Sequence, residues 1–157
     1  MSPRVLVHHS VREELDLASE ACLGQPEAGG ILLGAYRGPD IEATGLTRPG
    51  PTDVRRLHSF TRADPLHETA NVRAWERSGG TISYVGEWHT HPAGGITPSS
   101  IDVRSWRGEA RRCGRPMVFA LVVPGAWGIF VVRPMWMFSS NARLTFQEWG
   151  ETGVVFG

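Results

Sequence analysis

The chain has 157 residues, enough for one domain with a hydrophobic core of its own. Its composition is that of an ordinary globular protein, and 16 basic and 16 acidic residues give a formal net charge of zero. This balance gives no electrostatic reason to expect nucleic acid or membrane partners, and we expect neither.

The first predicted elements are a strand and a helix. Residues 4–8 form a short apolar strand. The next residues, Ser-Val-Arg-Glu from Ser10, have the pattern of a capping box, which places the helix start at Ser10. Apolar side chains recur on one face of this helix to about Cys22, and Gly24 is suited to end it.

A hairpin follows the first helix. Residues 28–36 are apolar and rich in glycine, which is typical of a buried strand in an α/β or α+β sheet. A turn at residues 37–40 leads into a partner strand over residues 41–46. Residues 55–60 predict one further strand.

The second half of the chain predicts two helices with a strand between them. Asp64 is the expected cap of the first helix, with proline in its first position, and this helix runs to about Arg77. Residues 81–91 are rich in β-branched and aromatic side chains and predict a strand. The next helix is expected over residues 101–112.

The C-terminal region is less regular. Residues 117–123 and 127–132, joined by a Pro-Gly turn, predict a second hairpin, and its first strand holds the longest apolar run of the chain. Residues 134–157 are the least readable part, and residues 141–149 fit either a strand or a short helix.

The strand over residues 81–91 ends in His-Thr-His-Pro. Side chains two apart share one face of a strand, so His89 and His91 point the same way. Pro92 then ends the ladder, because it has no N–H to donate. Six residues with two glycines form a loop before Ser99.

The helix that follows this loop brings a carboxylate. Ser99 or Ser100 is a good N-cap, and Asp102 then falls in the first helical turn. A short loop folds this turn back over the strand end, so both histidines and Asp102 can converge on one ion. A site with three protein ligands and one open position is the catalytic kind of zinc site.

Two further side chains have the chemistry of hydrolysis. Glu27 lies at the mouth of the strand over residues 28–36, where the fold has to bring it to the histidines. A carboxylate there can take a proton from an activated water and give it to a leaving amine. Ser99 can donate a hydrogen bond to the oxyanion of a tetrahedral intermediate.

Each piece of this pattern has an ordinary explanation when it stands alone. A His-x-His pair is common, and Ser-x-x-Asp usually marks a helix start. A glutamate before glycines is usually an exposed turn residue. The order of the pieces, with six residues between Pro92 and Ser99, favours the catalytic interpretation.

At these residues the chain resembles the JAMM (JAB/MPN-plus) metalloproteases. The pattern of that family is an upstream glutamate, then His-x-His-Pro, six residues, Ser, two residues and Asp, and it is met here in full. The resemblance implies an MPN/JAB fold, which is α+β with a mixed central sheet flanked by helices, as one domain over residues 1–157. It also implies a zinc cofactor. By this resemblance His89, His91 and Asp102 bind zinc, Glu27 is the general acid/base and Ser99 stabilises the oxyanion.

A narrower resemblance lies around the pattern. Residues 60–64 and 75–89, and Thr-Pro-Ser-Ser-Ile-Asp from Thr97, are similar to short bacterial members of the family. Those proteins are encoded beside ubiquitin-activating-like and conjugating-like enzymes, including in CBASS-type antiphage operons. The neighbouring enzymes are therefore candidate partners.

The resemblance implies a zinc-dependent isopeptidase or peptidase. Its substrate would be the amide bond at the C-terminus of a ubiquitin-like protein, or of a protein conjugated by a bacterial ubiquitin-like system, in antiphage defence. Two alternatives remain open: a metallopeptidase that processes a sulfur carrier, and a non-catalytic MPN scaffold. The complete set of Glu27 and the three ligands argues against the scaffold.

The remaining features predict an ordinary cytoplasmic protein. No apolar stretch approaches the roughly 20 residues of a membrane helix, and no signal peptide is expected. Cys22 and Cys113 are isolated, so we expect free thiols in a reducing compartment, although sequence leaves a disulfide open. Trp88 and Trp106 are expected in the core or a pocket wall. The histidines expected to be surface or polar-core residues rather than ligands are His8, His9, His58 and His67.

Overall fold

The computed structural model describes residues 3–134 and three strands beyond them, at residues 142–143, 146–149 and 153–156. The helices of this part of the chain are α1 (His9–Ala21), α2 (Leu66–Arg77) and α3 (Ser100–Cys113). The first six strands are β1 (Val5–His8), β2 (Gly29–Arg37), β3 (Asp40–Leu46), β4 (Val54–Arg56), β5 (Ser59–Thr61) and β6 (Ser83–Thr90). The others are β7 (Met117–Val123), β8 (Ala126–Val132), β9 (Ala142–Arg143), β10 (Phe146–Trp149) and β11 (Gly153–Phe156).

The described strands form one large mixed sheet and one small hairpin. The large sheet has the order β10-β11-β1-β3-β2-β6-β7-β8-β9, and β4 pairs with β5 in a separate two-stranded sheet. The pairs β1–β3 and β6–β7 are parallel, and the other pairs are antiparallel. The α3 helix makes the crossover between β6 and β7. The predicted α+β class with a mixed central sheet is confirmed.

The core lies on both faces of the sheet, and β7 is therefore buried along its whole length. Val118, Ala120 and Val122 pack in the cluster that includes Val11 and Leu15 of α1. The alternate residues of β7 pack on the other side with the α3 side chains Trp106 and Ala110. This period of two is what a strand between two helices requires. The sheet therefore holds α1 and α3 on opposite faces.

Most predicted elements are confirmed. Both predicted hairpins are present, as β2–β3 and β7–β8. The predicted second helix is present, but it begins at Leu66 with Pro65 as N-cap, so the expected cap at Asp64 is one residue too early. The Asp64 carboxylate still accepts a hydrogen bond from the Leu66 N–H at 2.9 Å. The prediction over residues 141–149 resolves to strand in β9 and β10, and the rest of the tail lies outside the described residues.

Two further local predictions are wrong. The α1 helix begins at His9 with His8 as N-cap, and this cap makes no side-chain hydrogen bond. Ser10 cannot be the cap because β1 leads into the helix without a loop. Residues 55–60 were expected as one strand, but they span the β4–β5 hairpin, with the turn at Leu57 and His58.

The remaining structural expectations agree with the structure. Cys22 is buried and Cys113 is half-buried, and both are free thiols. Trp88 and Trp106 are buried. Within the described part of the chain, no helix is long and apolar enough to cross a membrane.

Candidate metal centre

The end of β6 positions the two histidines. His89 pairs with Gly29 of β2 on one side and with Leu121 of β7 on the other. His91 follows the strand directly, and its N–H donates to the Val122 carbonyl at 2.7 Å. The parallel neighbour β7 therefore continues to hold the chain just beyond the end of β6.

The start of α3 positions the carboxylate through a capping box. The Ser99 N–H and hydroxyl both donate to Asp102 Oδ2, at 2.7 and 2.6 Å. The Asp102 N–H donates in return to Ser99 Oγ at 3.1 Å. This reciprocal arrangement satisfies the helix start and fixes the rotamer of the carboxylate. Ser99 is the N-cap, which confirms one of the two residues expected there.

The three side chains converge. His89 Nε2 lies 3.0 Å from His91 Nε2 and 3.1 Å from Asp102 Oδ1. His91 Nε2 lies 3.4 Å from Asp102 Oδ2. One donor atom from each residue lies within 4.8 Å of the others, and this is the one group of three or more metal-ligating side chains found in the described residues.

These separations fit a zinc ion. Ligand atoms about 2.0–2.1 Å from a tetrahedral zinc lie about 3.3–3.4 Å from one another, close to the distances observed. The donor set of two imidazoles and one carboxylate is also one that zinc accepts. His91 makes a further hydrogen bond with the main chain of Gly95, the kind of outer contact that orients a ligating imidazole. The residues present therefore fit the metal.

The charges of the group support one another. Burial raises the pKa of the Asp102 carboxyl, but hydrogen bonds from His89, His91 and Ser99 outweigh it and hold that pKa well below its ordinary range. The hydrogen bond to Asp102 raises the pKa of His91. Asp102 is therefore an anion at neutral pH, which is the form that binds a cation.

Glu27 lies beside this group without belonging to it. The residue is 9% exposed and lines a cavity with His89 on one side and a smaller one with His91 on the other. Burial raises the pKa of its carboxyl, while the nearby His91 and His89 lower it. A buried carboxylate with a raised pKa is suited to move protons near neutral pH.

A cleft runs past the centre between the β4–β5 hairpin and α3. Its larger cavity, on the His89 side, has a volume of about 310 Å³. The Trp106 ring, stacked on Phe119, stands edge-on to the His89 ring at 6.1 Å. The cavity is also lined by Phe60, Thr61 and Arg62 on the hairpin side, and by Glu87, Trp88 and Glu109.

The far end of this cavity is closed by a polar network. Arg62 pairs with Glu87 at 2.6 Å, and the Tyr84 hydroxyl lies 3.0 Å from the same carboxylate and 3.1 Å from Glu109. Arg112 holds Glu109 from outside the cavity, at 2.7 Å. The cavity is therefore floored by aromatic rings near the histidines and bounded by paired charges away from them.

The structure thus brings together four of the five predicted site residues. The fifth, Ser99, contacts the ligand Asp102. His89, His91 and Asp102 form the cluster, and Glu27 lines the cavities beside it. The Ser99 hydroxyl donates to Asp102 rather than pointing away from it. Of the other histidines, His67 is 1% exposed and bonded in the polar core, and His58 is exposed, as expected.

Sequence reasoning missed the residues that hold Glu27 and the hairpin. Thr90 lies between the two histidines, and its role is decided by its partner Ala28, 62 residues away. Arg55 donates to the carbonyls of Glu27 and Pro26. The position of Thr90 inside the pattern was the one available signal, and nothing in the sequence marked Arg55.

Comparison with known proteins supports the same reading of the fold. Residues 9–142 match the model of a family described as prokaryotic homologs of the JAB domain. A solution structure of protein DSY2949 from Desulfitobacterium hafniense superposes with a TM-score of 0.62 at 19% identity, covering 92% of this chain and 94% of that one. At this identity the likeness shows the fold, and it agrees with the predicted MPN/JAB architecture.

Two relatives carry the same name. A Vibrio cholerae protein named CD-NTase/cGAS isopeptidase is 40% identical over 82 residues, which is 52% of this chain and 53% of that relative. A protein of the same name from Pseudomonas aeruginosa is 34% identical over 127 residues, covering 76% of this chain and 78% of the relative. The first alignment thus spans about half the length of the relative it matches.

Proposed function

The chain belongs to the family of prokaryotic homologs of the JAB domain, and from that premise we propose that it is a zinc-dependent isopeptidase. It hydrolyses the amide bond at the C-terminal tail of a ubiquitin-like protein, or of a protein attached by a bacterial ubiquitin-like system. Its Vibrio and Pseudomonas relatives are named CD-NTase/cGAS isopeptidase, which supports a conjugate of a CD-NTase as the substrate. We further propose that the activity serves antiphage defence.

One observation carries this proposal. Donor atoms of His89, His91 and Asp102 lie within 4.8 Å of one another at the side of a cleft, and Glu27 lines the same cleft without being needed as a ligand. A structural metal site would be closed by a fourth protein ligand. A three-ligand group with a spare carboxylate beside it is arranged for hydrolysis.

The three ligands would hold the ion through His89 Nε2, His91 Nε2 and a carboxylate oxygen of Asp102. Zinc supplies Lewis acidity there: it polarises a carbonyl group and makes water acidic enough to lose a proton near neutral pH. Ser99 holds Asp102 Oδ2 with two hydrogen bonds, which leaves Oδ1 directed at His89. The capping box therefore orients the ligand.

Glu27 moves the proton. Its carboxylate takes a proton from the attacking water as the new carbon–oxygen bond forms. It then gives that proton to the amine nitrogen as the carbon–nitrogen bond breaks, leaving a carboxylate and a free amine. The raised pKa of Glu27 favours this second step, because it increases the fraction of the carboxyl group that carries a proton to donate.

Ser99 serves the oxyanion in this proposal. Its hydroxyl donates to Asp102 Oδ2 at 2.6 Å in the structure, so it has to rotate to reach a substrate oxygen. The Ser99 N–H bond to the same oxygen, at 2.7 Å, remains when the hydroxyl turns away. The main chain thus keeps Asp102 in place during that rotation.

The cleft selects an extended chain as substrate. The Glu27 and His89 side chains line a cavity between the hairpin and α3, and a folded segment cannot bring its main-chain carbonyl to them. A flexible C-terminal tail can. The aromatic side chains Phe60, Trp88 and Trp106 offer apolar surface to such a tail.

The test is cleavage of a defined tail. The zinc-loaded protein is incubated with its co-encoded conjugate, or with a fusion that carries the tail, and products are identified by mass spectrometry. We expect a single cut after the last residue of the tail, abolished by a zinc chelator and by Glu27→Gln.

Two other outcomes would contradict the proposal. Cuts at unrelated internal sites would indicate a general peptidase. Absence of cleavage of every tail by protein that holds one zinc per chain would favour a non-catalytic scaffold.

A further inference from the structure

We infer that Thr90 and Arg55 are positioning residues that set the place of Glu27 relative to the two histidines. This inference rests on the proposed function, in which Glu27 carries the proton. Glu27 precedes the first residue of β2, so contacts with other segments have to fix its position relative to His89 and His91.

Thr90 clamps the residue next to Glu27. The Thr90 N–H donates to the Ala28 carbonyl at 2.8 Å, and the Ala28 N–H donates to Thr90 Oγ1 at 2.9 Å. Both polar groups of the Ala28 main chain are therefore bonded to the residue between His89 and His91. Thr90 is 1% exposed, so this contact is shielded from bulk solvent.

Arg55 holds the same segment through two main-chain carbonyl groups. Its Nε–H donates to the Glu27 carbonyl at 3.0 Å, and its Nη2 donates to the Pro26 carbonyl at 3.1 Å. The Glu27 N–H donates to the Arg56 carbonyl at 2.8 Å. The planar fork of a guanidinium can grip two neighbouring carbonyls, which an ammonium group cannot do with the same geometry.

The two residues act on the same three-residue segment, Pro26 to Ala28. Thr90 belongs to the strand that carries the histidines, and Arg55 belongs to β4 of the hairpin. Glu27 is thus fixed to the metal-ligand strand and to the cleft wall at once. Since a displacement of about 1 Å costs a catalytic group roughly 10²-fold in rate, such fixing has a direct value for catalysis.

The first variant is Thr90→Val, which keeps the shape of the side chain and removes the hydroxyl. We expect kcat to fall by about 10- to 100-fold, with KM within about twofold and zinc content unchanged. Thr90→Ser restores the hydroxyl and should recover most of the loss. Thr44→Val is the matched control, because Thr44 is a strand threonine of β3 whose hydroxyl bonds Leu33 instead.

The second variant is Arg55→Ala, which tests the inference from an exposed position even if Thr90→Val fails to fold. We expect the same pattern, lower kcat with KM and zinc content retained. Arg37→Ala is its matched control, since Arg37 is an exposed strand arginine paired with Glu42. A loss in Arg55→Ala that lies mainly in KM would assign Arg55 to substrate binding and overturn its positioning role.

A measurement without turnover separates this inference from the proposed function. Amide hydrogen exchange in zinc-free protein should accelerate about tenfold at Ala28 in Thr90→Val, the size expected for one lost hydrogen bond. In Arg55→Ala, amide hydrogen exchange should accelerate at the Glu27 N–H.

The outcomes are distinguishable. Wild-type protein that cleaves no tail would refute the proposed function, while the exchange rates still decide whether the clamp exists. Unchanged exchange at both amides, or a folded Thr90→Val with wild-type kcat, would overturn the inference. So would a loss of activity that only follows a loss of zinc, or a Thr90→Ser variant as poor as Thr90→Val.

Discussion

The metal-ligand side of the site and the Glu27 side are assembled in different ways. His89, His91 and Asp102 come from one stretch of chain, and the capping box that orients Asp102 involves only Ser99 and Asp102 itself. Glu27 reaches them through contacts between residues as far apart as Ala28 and Thr90, 62 positions away. A local pattern can therefore specify the ligands, whereas the base depends on the register of the whole sheet.

The cleft wall on the Glu27 side depends on a buried polar network. Asp53 accepts hydrogen bonds from the main-chain N–H groups of Gly50, Ala63 and Asp64, at 2.7, 2.7 and 2.8 Å. It also lies 2.8 Å from His67 Nε2, and the other nitrogen of that ring lies 2.6 Å from Thr47 Oγ1. This network ties the loop that carries the hairpin to α2 and, through Thr47, to β2.

The largest expected effect comes from the ligand side. His91→Ala should lose its zinc and reduce cleavage to the level of chelator-treated protein, because two ligands cannot hold the ion as three do. Elemental analysis of the purified variant measures this. His9→Ala, which removes an exposed histidine of α1, is the control and should keep one zinc per chain. One zinc per chain in His91→Ala would contradict the assignment of His91 as a ligand.

Glu27→Gln tests the other side and should have the next largest effect. It keeps the size of the side chain and removes the base, so kcat should fall by about 10²- to 10⁴-fold with zinc retained. The measurement is single-substrate kinetics together with zinc analysis. If the variant loses its metal, then Glu27 is a ligand and the division between the two sides is wrong.

Ser99→Ala distinguishes two roles on the ligand side. If Ser99 is an oxyanion donor, removal of its hydroxyl should lower kcat by about 10²- to 10³-fold. As a cap alone, it should cost about 1 kcal/mol of unfolding free energy with turnover per folded molecule unchanged. We expect the kinetic loss, and denaturant unfolding with kinetics at saturating substrate checks it. Ser100→Ala, one residue further along the helix start, is the control.

Asp53→Asn should have the smallest effect on chemistry and act on stability instead. Burial raises the pKa of Asp53, but its hydrogen bonds from Asp64, Gly50, His67 and Ala63 outweigh this and hold the pKa well below its ordinary range. The stability that this carboxylate contributes is therefore present above its unfolded pKa of about 4 and is lost as the pH falls below it. The variant should lose about 2–3 kcal/mol at pH 7, since an amide cannot accept all these bonds.

The pH dependence provides the check on this last prediction. Urea unfolding of wild type should show a decline in unfolding free energy below about pH 4, and Asp53→Asn should show less of it. A wild-type decline that Asp53→Asn reproduces in full would show that other carboxylates cause it. The wall would then have to be held by contacts other than this network.

The parts of the fold that the sequence predicted are those with local causes. Pro92 ending the strand, Ser99 capping α3 and Asp102 closing the capping box all follow from neighbouring residues, and the structure contains each of them. The turn of the β2–β3 hairpin was predicted for the same reason, because Gly38 has a positive φ of 61° that favours glycine.

The parts that the sequence did not predict lack a local signal. The turn at Leu57 and His58 has no glycine, asparagine or aspartate, and among the described residues no side-chain-bearing residue has a positive φ, so nothing marked a hairpin there. Ser10 was mistaken for a cap because a capping-box pattern was present where β1 had already turned into α1. Arg55 and His67 contact residues far along the chain, and the periodicity of a sequence does not predict such contacts.

The pairing of β2 with β6 has a consequence for how such a protein can change over evolutionary time. Gly29 faces His89 in an antiparallel ladder, so a change of this register by one residue would move Glu27 past the histidines by about 3.3 Å. The segment between β3 and β6 is outside that ladder, so insertions and deletions in α2 and its flanking loops leave the register unchanged as long as Arg55 keeps its contacts with residues 26–27. Descendants of this chain can therefore vary in the length of this segment while the register that places Glu27 is kept.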